Sequence, residues 1–321
     1  MLSIVIPTRW YWPKPIALIE SILLDSSINW VVSEILCVVE FDKTTLWREK
    51  MIEKCKKSGI MLKVIAQYGY WVSASRNYGA SIAIGELVIF IDDDTTISEG
   101  FIWNMVDEYN MLYKEHKIDI MLYPTVLQSD TDRVYSRWYR YYNRLLARPV
   151  AFDNINNRKD KLRRWLMMDK LFAPKYGNIK LSNVICVLTS KKVTDQVKFD
   201  EDMLFVYEDL DRTYRVYKSG HPIFVSEQNT IKHYEWYRTK MEQMYIWNKE
   251  SIYYKTRHRI WFAIKNSNLW QKILYYICWF WISNIWTLVM ILRYSEKRSL
   301  HLLARWRGIK DGLKLRNQTI S

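Results

Sequence analysis

Cysteine is scarce and unpaired in this chain: Cys37, Cys55, Cys186 and Cys278 are all that 321 residues contain, and their spacing fits no metal knuckle. Neither a zinc site nor a disulfide framework is expected, and a reducing compartment suits the chain. Met1 runs straight into Leu2-Ser3-Ile4-Val5-Ile6-Pro7 with no basic start and no small-residue cleavage site, so no secretory signal is visible. A cytoplasmic catalytic part is expected. Intrinsic disorder is excluded, because 49% of the residues are hydrophobic, enough for one large domain with a full core plus an appendage. Charge of one sign is lacking over most of the chain. The formal +14 is concentrated between Lys255 and Ser321, where thirteen Lys or Arg face only Glu296 and Asp311, a local excess of +11.

The first hundred residues alternate short β-rich runs with helical patterns. Ser3 to Ile6, Ile35 to Val39, Leu62 to Ile65 and Leu87 to Ile91 read as strands, and Ile16 to Leu24, Leu46 to Ser58 and Ala74 to Ile84 as helices. That β-α-β-α-β-α-β order predicts an α/β fold, a Rossmann-like, mostly parallel sheet with helices on both faces. Polar residues stand behind the strands where packing does not ask for them: Thr8 and Arg9, then Glu40 and Asp42, then Asp92-Asp93-Asp94. Ligands of such sheets bind in the crevice outside the carboxyl ends of the strands. Asp92 and Asp94 alternate to one side of an extended chain, which suits a divalent cation and, through it, a pyrophosphate. A solvated acidic turn is the plain alternative for an isolated triplet.

A second acidic run, Phe199-Asp200-Glu201-Asp202 followed by Tyr207-Glu208-Asp209-Leu210-Asp211, sets carboxylates among aromatic neighbours, where the surroundings control ionisation. It offers a candidate base; acids at a helix N-terminus are the structural alternative. Arg133, Arg137, Arg140, Arg144 and Arg148 recur every three or four residues and form one basic helical face, either solvated or facing phosphates or an anionic bilayer.

Ile273 to Leu292 is a 20-residue run without a charge. At about 1.5 Å per residue it is long enough for a hydrocarbon core of about 30 Å. Basic residues flank both ends, so a re-entrant or interfacial placement is preferred to a single span, with a buried helix third. Leu300, Leu303, Trp306, Ile309 and Leu313, with Arg305, Arg307, Lys310, Lys314 and Arg316 between them, suggest a helix lying on a membrane surface. The expected organisation is one domain over 1–240, in two halves at 1–125 and 126–240, and a helical membrane-associating region at 241–321.

Four segments in order resemble glycosyltransferase family 2, with the GT-A fold: Ile4-Val5-Ile6-Pro7-Thr8, Ser75-Arg76-Asn77-Tyr78-Gly79-Ala80, Gly85-Glu86 leading into Phe90-Ile91-Asp92-Asp93-Asp94, and the Phe199 to Asp211 run. The similarity covers about 1–235 and is greatest to rhamnosyltransferase-like members that extend lipid-linked or cell-surface glycans. It implies that Pro7, Thr8 and Glu40 border the nucleoside, that Arg76 approaches the nucleotide, and that Asp92 and Asp93 lie beside the donor. Asp94, with Asp92 and His233, would hold Mg²⁺ or Mn²⁺, and Asp209, paired with Glu208, would be the base. The expected partners are a nucleotide-sugar donor, a lipid-linked or glycan acceptor and membrane lipids, at the cytoplasmic face of a membrane. Nucleic acid is not expected, because the uncharged run interrupts the basic tail. Two departures stand out: Glu40-Phe41-Asp42-Lys43-Thr44 replaces an Asp-Asp-x-Ser-x-Asp-like run, leaving the donor open, and Ser182-Asn183 replaces a Gly-Ala pair, which leaves the acceptor pocket unusual. A polyprenyl-phosphate sugar synthase and a non-catalytic membrane-surface protein are the rival readings.

Overall fold

The computed structural model describes residues 1–8, 14–39, 46–67, 72–128, 185–204, 207–233, 249–266 and 298–314, together with 285, 288, 291 and 292. The elements run β1 (Leu2–Thr8), α1 (Lys14–Leu23), α2 (Ile28–Val31), β2 (Val32–Val39), α3 (Leu46–Lys57), β3 (Met61–Ala66), α4 (Val72–Ile82), β4 (Leu87–Ile91), β5 (Thr95–Thr96), α5 (Phe101–His116) and β6 (Met121–Gln128). They continue as β7 (Cys186–Ser190), α6 (Lys191–Gln196), α7 (Glu208–Lys218), β8 (Ile223–His233), α8 (Lys249–Asn266) and α9 (Arg298–Lys314). All seven elements expected in the first hundred residues form, with ends moved by a few positions.

One eight-stranded sheet has the order β3-β2-β1-β4-β7-β6-β8-β5. β3, β2, β1 and β4 are mutually parallel, β7 lies antiparallel between β4 and β6, and β6 runs parallel to β8. Strand order reverses at β1, so a crevice opens beyond the ends of β1 and β4. The period-2 alternation explains why both faces of these strands are apolar. Ile4, Ile6, Ile35, Cys37, Ile89 and Ile91 point to one side, where α1 and α5 supply Ile19, Ile22, Phe101 and Met105. Val5, Leu36, Val88 and Phe90 point to the other, against Ala80 of α4, Val193 of α6 and Val216 of α7.

Cys37, Cys55 and Cys186 are buried free thiols. Burial pushes the Cys37 thiol up to about 12, and it behaves as a small apolar side chain. Among the described residues no helix is long and apolar enough to cross a membrane. Arg133 to Arg148, Ser182-Asn183 and most of Ile273 to Leu292 lie outside the described residues. α9 does form, but its outward face differs from the expected series. Leu300, Leu303 and Trp306 are exposed beside Arg307, Lys310 and Lys314, whereas Arg305 is buried and Ile309 and Leu313 are partly covered. The reason is α8: a Cβ at Gly308 would sit 2.7 Å from the Tyr253 carbonyl oxygen, and Tyr253 Oη donates to Asp311 Oδ2 at 2.9 Å, so that side of α9 is committed to its neighbour.

Candidate active site

The aspartate triplet leaves the end of β4 and diverges. Asp92 turns inward, Asp93 accepts from the Thr8 hydroxyl at the end of β1 at 2.5 Å, and Asp94 faces the opposite wall. Asp94 Oδ2 accepts from Lys14 Nζ at 3.3 Å, and its Oδ1 lies 3.2 Å from His233 Nε2. The two-residue strand β5 brings this about: Thr95 pairs with His233, so β8 delivers its last residue beside the triplet. Burial alone would raise Asp94, but the hydrogen bond and charge of His233 and the ammonium of Lys14 hold it below the usual carboxylate range.

Arg76 organises the inner wall. α4 lies close over β1 because residue 79 is glycine: a Cβ there would stand 2.5 Å from Val5 Cγ1. The buried guanidinium donates through Nη2 to Asp92 Oδ1 at 2.7 Å and through Nη1 to Asp209 Oδ1 at 2.6 Å, with Glu208 Oε1 3.7 Å away. Its plane lies 5.2 Å over the ring of Phe199. One cation is therefore shared by three carboxylates from β4 and α7, fixed at the two-pronged geometry that a guanidinium provides and an ammonium does not. The balance remains acidic. Burial, opposed by Arg76 and reinforced by Asp209 and Asp94, pushes Asp92 up to about 7. Burial and the neighbouring Asp209 push Glu208 to about 8.

Asn77 fastens the second acidic run to α4. It accepts from the Phe199 amide at 2.8 Å and donates to the Phe199 carbonyl and to Glu201 Oε1, while Ser73 Oγ donates to the Met203 carbonyl at 2.9 Å. The chain then enters α7 through Tyr207, which is in the left-handed region at φ 75°. This turn aims Glu208 and Asp209 at Arg76.

Asp92, Asp93, Asp94, Arg76, Glu208, Asp209, His233 and Thr8 thus converge on one crevice. Pro7 is buried within β1 opposite Val38, one residue short of the rim, and Glu40 lies outside the described residues. The expected shared metal set of Asp92, Asp94 and His233 does not assemble: Asp92 faces Arg76, and among the described residues no three carboxylate, His or Cys groups are placed to hold one ion. Asp94 and His233 do form a two-ligand pair of oxygen and nitrogen, which suits a cation completed by water and phosphate oxygens. Lys14 was not singled out from sequence, and Asn77 and Phe199 stood within the resembling segments without a role of their own; Asn77 is next to Arg76, and Lys14 had only its place at the start of a helix following β1.

A crevice at the reversal point of a parallel sheet, walled by carboxylates around one buried arginine, defines an α/β enzyme that handles a charged ligand at its strand ends. The family model described as glycosyl transferase family 2 matches residues 3–168, just over half the chain. The chain belongs to that family of glycosyltransferases, and its fold is GT-A. Among solved structures it is similar to S. aureus TarS 1-349, with 14% identity over 98% of this chain and 81% of that one, TM-score 0.56. The complex of TarS 1-349 with UDP-GlcNAc matches at 15% identity over 99% and 90%, TM-score 0.55. GalNAc-T7 with UDP, GalNAc and Mn²⁺ matches at 13% identity over 85% of this chain and 54% of that one, TM-score 0.53. At these identities the likeness is one of fold. Comparison with curated proteins gave no match.

Proposed function

We propose that this chain transfers a sugar, with inversion, from a nucleotide-sugar donor to a hydroxyl of a lipid-linked or membrane-proximal glycan. The supporting observation is that Arg76 joins Asp92, at the end of β4, to Asp209, at the start of α7. Asp209 acts as the base: it takes the proton of the acceptor hydroxyl while that oxygen attacks the anomeric carbon, the bond to the diphosphate breaks on the opposite face, and the nucleoside diphosphate leaves. Thr8, Arg76, Asp92 and Asp93 form the donor side, with Pro7 just behind the rim, and Glu40, outside the described residues, would accept from the nucleobase. Burial and the neighbouring Asp209 favour the protonated form of Glu208.

Asp94 and His233 would hold a divalent cation, Mg²⁺ or Mn²⁺, and such an ion, when bound, would supply charge neutralisation for the departing diphosphate. Lys14 adds a second positive charge on the same side.

The tail supports a membrane-proximal acceptor. The outward face of α9 combines Leu300, Leu303 and Trp306 with Arg307, Lys310 and Lys314, an arrangement suited to the interface of an anionic leaflet. Localisation at the cytoplasmic face of a membrane, and a boundary near 240 between catalytic and membrane-associating regions, belong to this reading. The experiment is turnover with a panel of UDP-GlcNAc, UDP-glucose, GDP-mannose and dTDP-rhamnose, with Mn²⁺, with Mg²⁺ and in excess chelator. Metal-stimulated cleavage of at least one donor is expected; full turnover in chelator removes the metal from the mechanism.

A further inference from the structure

The last turn of α8 ends against the first turn of α7, the helix that begins with Glu208 and Asp209. Lys265 Nζ donates to Asp200 Oδ2 at 2.5 Å and to Asp211 Oδ2 at 3.2 Å, and Asn266 Nδ2 donates to Asp211 Oδ1 at 2.8 Å. Asp211 is fully buried, and Arg215 Nε also donates to its Oδ2 at 2.7 Å. Two further residues of α8 hold the approach to α7. Trp261 Nε1 donates to Asp200 Oδ2 at 3.3 Å and Arg257 Nη1 to the Asp202 carbonyl at 3.0 Å. Both oxygens of Asp211 are thus held in a place where the acid alone would be costly.

The entry to α7 needs holding. Tyr207 stands at φ 75° and gives the helix no side-chain cap. A residue with a side chain stays in such a conformation, at a cost of about 1–3 kcal/mol, only where its surroundings impose it. Here α8 is that surrounding. Tyr207 is 7% exposed in one cluster with Met203, Trp261 and Phe262, its ring 5.9 Å from that of Phe262.

We propose that Lys265 and Asn266 are positioning residues for Asp209: by holding Asp211 they fix the first turn of α7, and with it the direction of the carboxylate two residues earlier. The acidic site then depends on the seating of the C-terminal helices, because α9 is bound to α8. The proposal rests on the reading of Asp209 as the base.

The test compares full-length Lys265→Met, Lys265→Arg and Asp209→Asn with wild type by two readouts. One is backbone hydrogen exchange over 207–213, with peptides from α4 and β4 as internal references. The other is kcat and donor KM with whichever nucleotide sugar of the panel is turned over. Removing the charge-assisted bonds to Asp200 and Asp211 should speed exchange over 207–213 by about tenfold or more in Lys265→Met and leave α4 and β4 unchanged. kcat should fall by about tenfold or more and donor KM move less than about threefold, because the donor side is untouched. Lys265→Arg should restore most of both. Unchanged exchange over 207–213, an equal rise in every peptide, or a rise in KM that matches the fall in kcat overturns the proposal. Wild-type kcat in Asp209→Asn sinks the base assignment instead, and exchange still decides whether Lys265 holds α7.

Discussion

Replacing Arg76 with methionine removes a cation shared by Asp92, Glu208 and Asp209 while keeping much of the side-chain volume. In the native protein Arg76 is 2% exposed and reaches Asp92 and Asp209 at 2.7 and 2.6 Å. Asp209 and Glu208 are themselves 14% and 8% exposed at the side chain, so water cannot replace the guanidinium. Breaking a buried ion pair by deleting one partner costs about 3–5 kcal/mol, a large share of the roughly 5–15 kcal/mol that holds a domain together. Arg76→Met should therefore lower the unfolding free energy by about that amount in urea titrations run in chelator. Arg76→Lys should lose less, because an ammonium can satisfy one carboxylate but not span two from a single plane. Donor turnover should vanish in Arg76→Met even under conditions where it remains folded. If Arg76→Met unfolds within about 1 kcal/mol of wild type, the three carboxylates do not need a shared cation, and the electrostatic account of the crevice is wrong.

Other outcomes follow from the same geometry. Asp94→Asn and His233→Ala should each weaken Mn²⁺ binding measured calorimetrically in the presence of the nucleoside diphosphate, with the fold intact because both groups lie at strand ends; equal Mn²⁺ affinity in both variants would remove them from the metal site. Glu34 is fully buried and accepts from Ser3 Oγ, Lys63 Nζ and the Ile84 amide at 2.8–2.9 Å. Burial opposes its charge, but these partners hold it below its ordinary 4.5. Its folded value is thus depressed, so its contribution is present above the unfolded value and lost as pH falls through the folded one. Glu34→Gln should cost about 2 kcal/mol at pH 7 and converge on wild type only as the pH falls through the depressed folded value; a gap that widens in acid would contradict the pairing. On α9, Arg307, Lys310 and Lys314 replaced together by Gln should lose about 3 kcal/mol of affinity for phosphatidylserine vesicles in sedimentation. Unaltered binding would mean that this face does not meet the bilayer.

Much of the fold and the outline of the site were legible in the sequence, for a physical reason. Strands buried on both faces read as unbroken apolar runs, and a run such as Leu87 to Ile91 ending in three aspartates has no place in a core. The partners of those aspartates were not legible. Arg76 meets Asp92 across 16 residues and Asp209 across 133, and nothing local marks an arginine that will be buried between them. Antiparallel β7, inserted between β4 and β6, was missed because a five-residue strand, Cys-Val-Leu-Thr-Ser, carries little periodicity of its own. The role of α8 was hidden in composition: Lys265 counts as one more charge in a basic tail, yet it is bound to Asp200 and Asp211. That contact argues against cutting the chain just before Lys265 to release an intact catalytic unit.

The most direct test of the account is a paired measurement on Asp209→Asn: the rate of sugar transfer, and the dissociation constant of the donor, in one preparation. A base that acts on the acceptor predicts transfer reduced by about 10²–10⁴-fold with donor affinity within about threefold of wild type. Transfer close to the wild-type rate, or a collapse of donor affinity, would place Asp209 outside the acceptor chemistry and contradict the central claim.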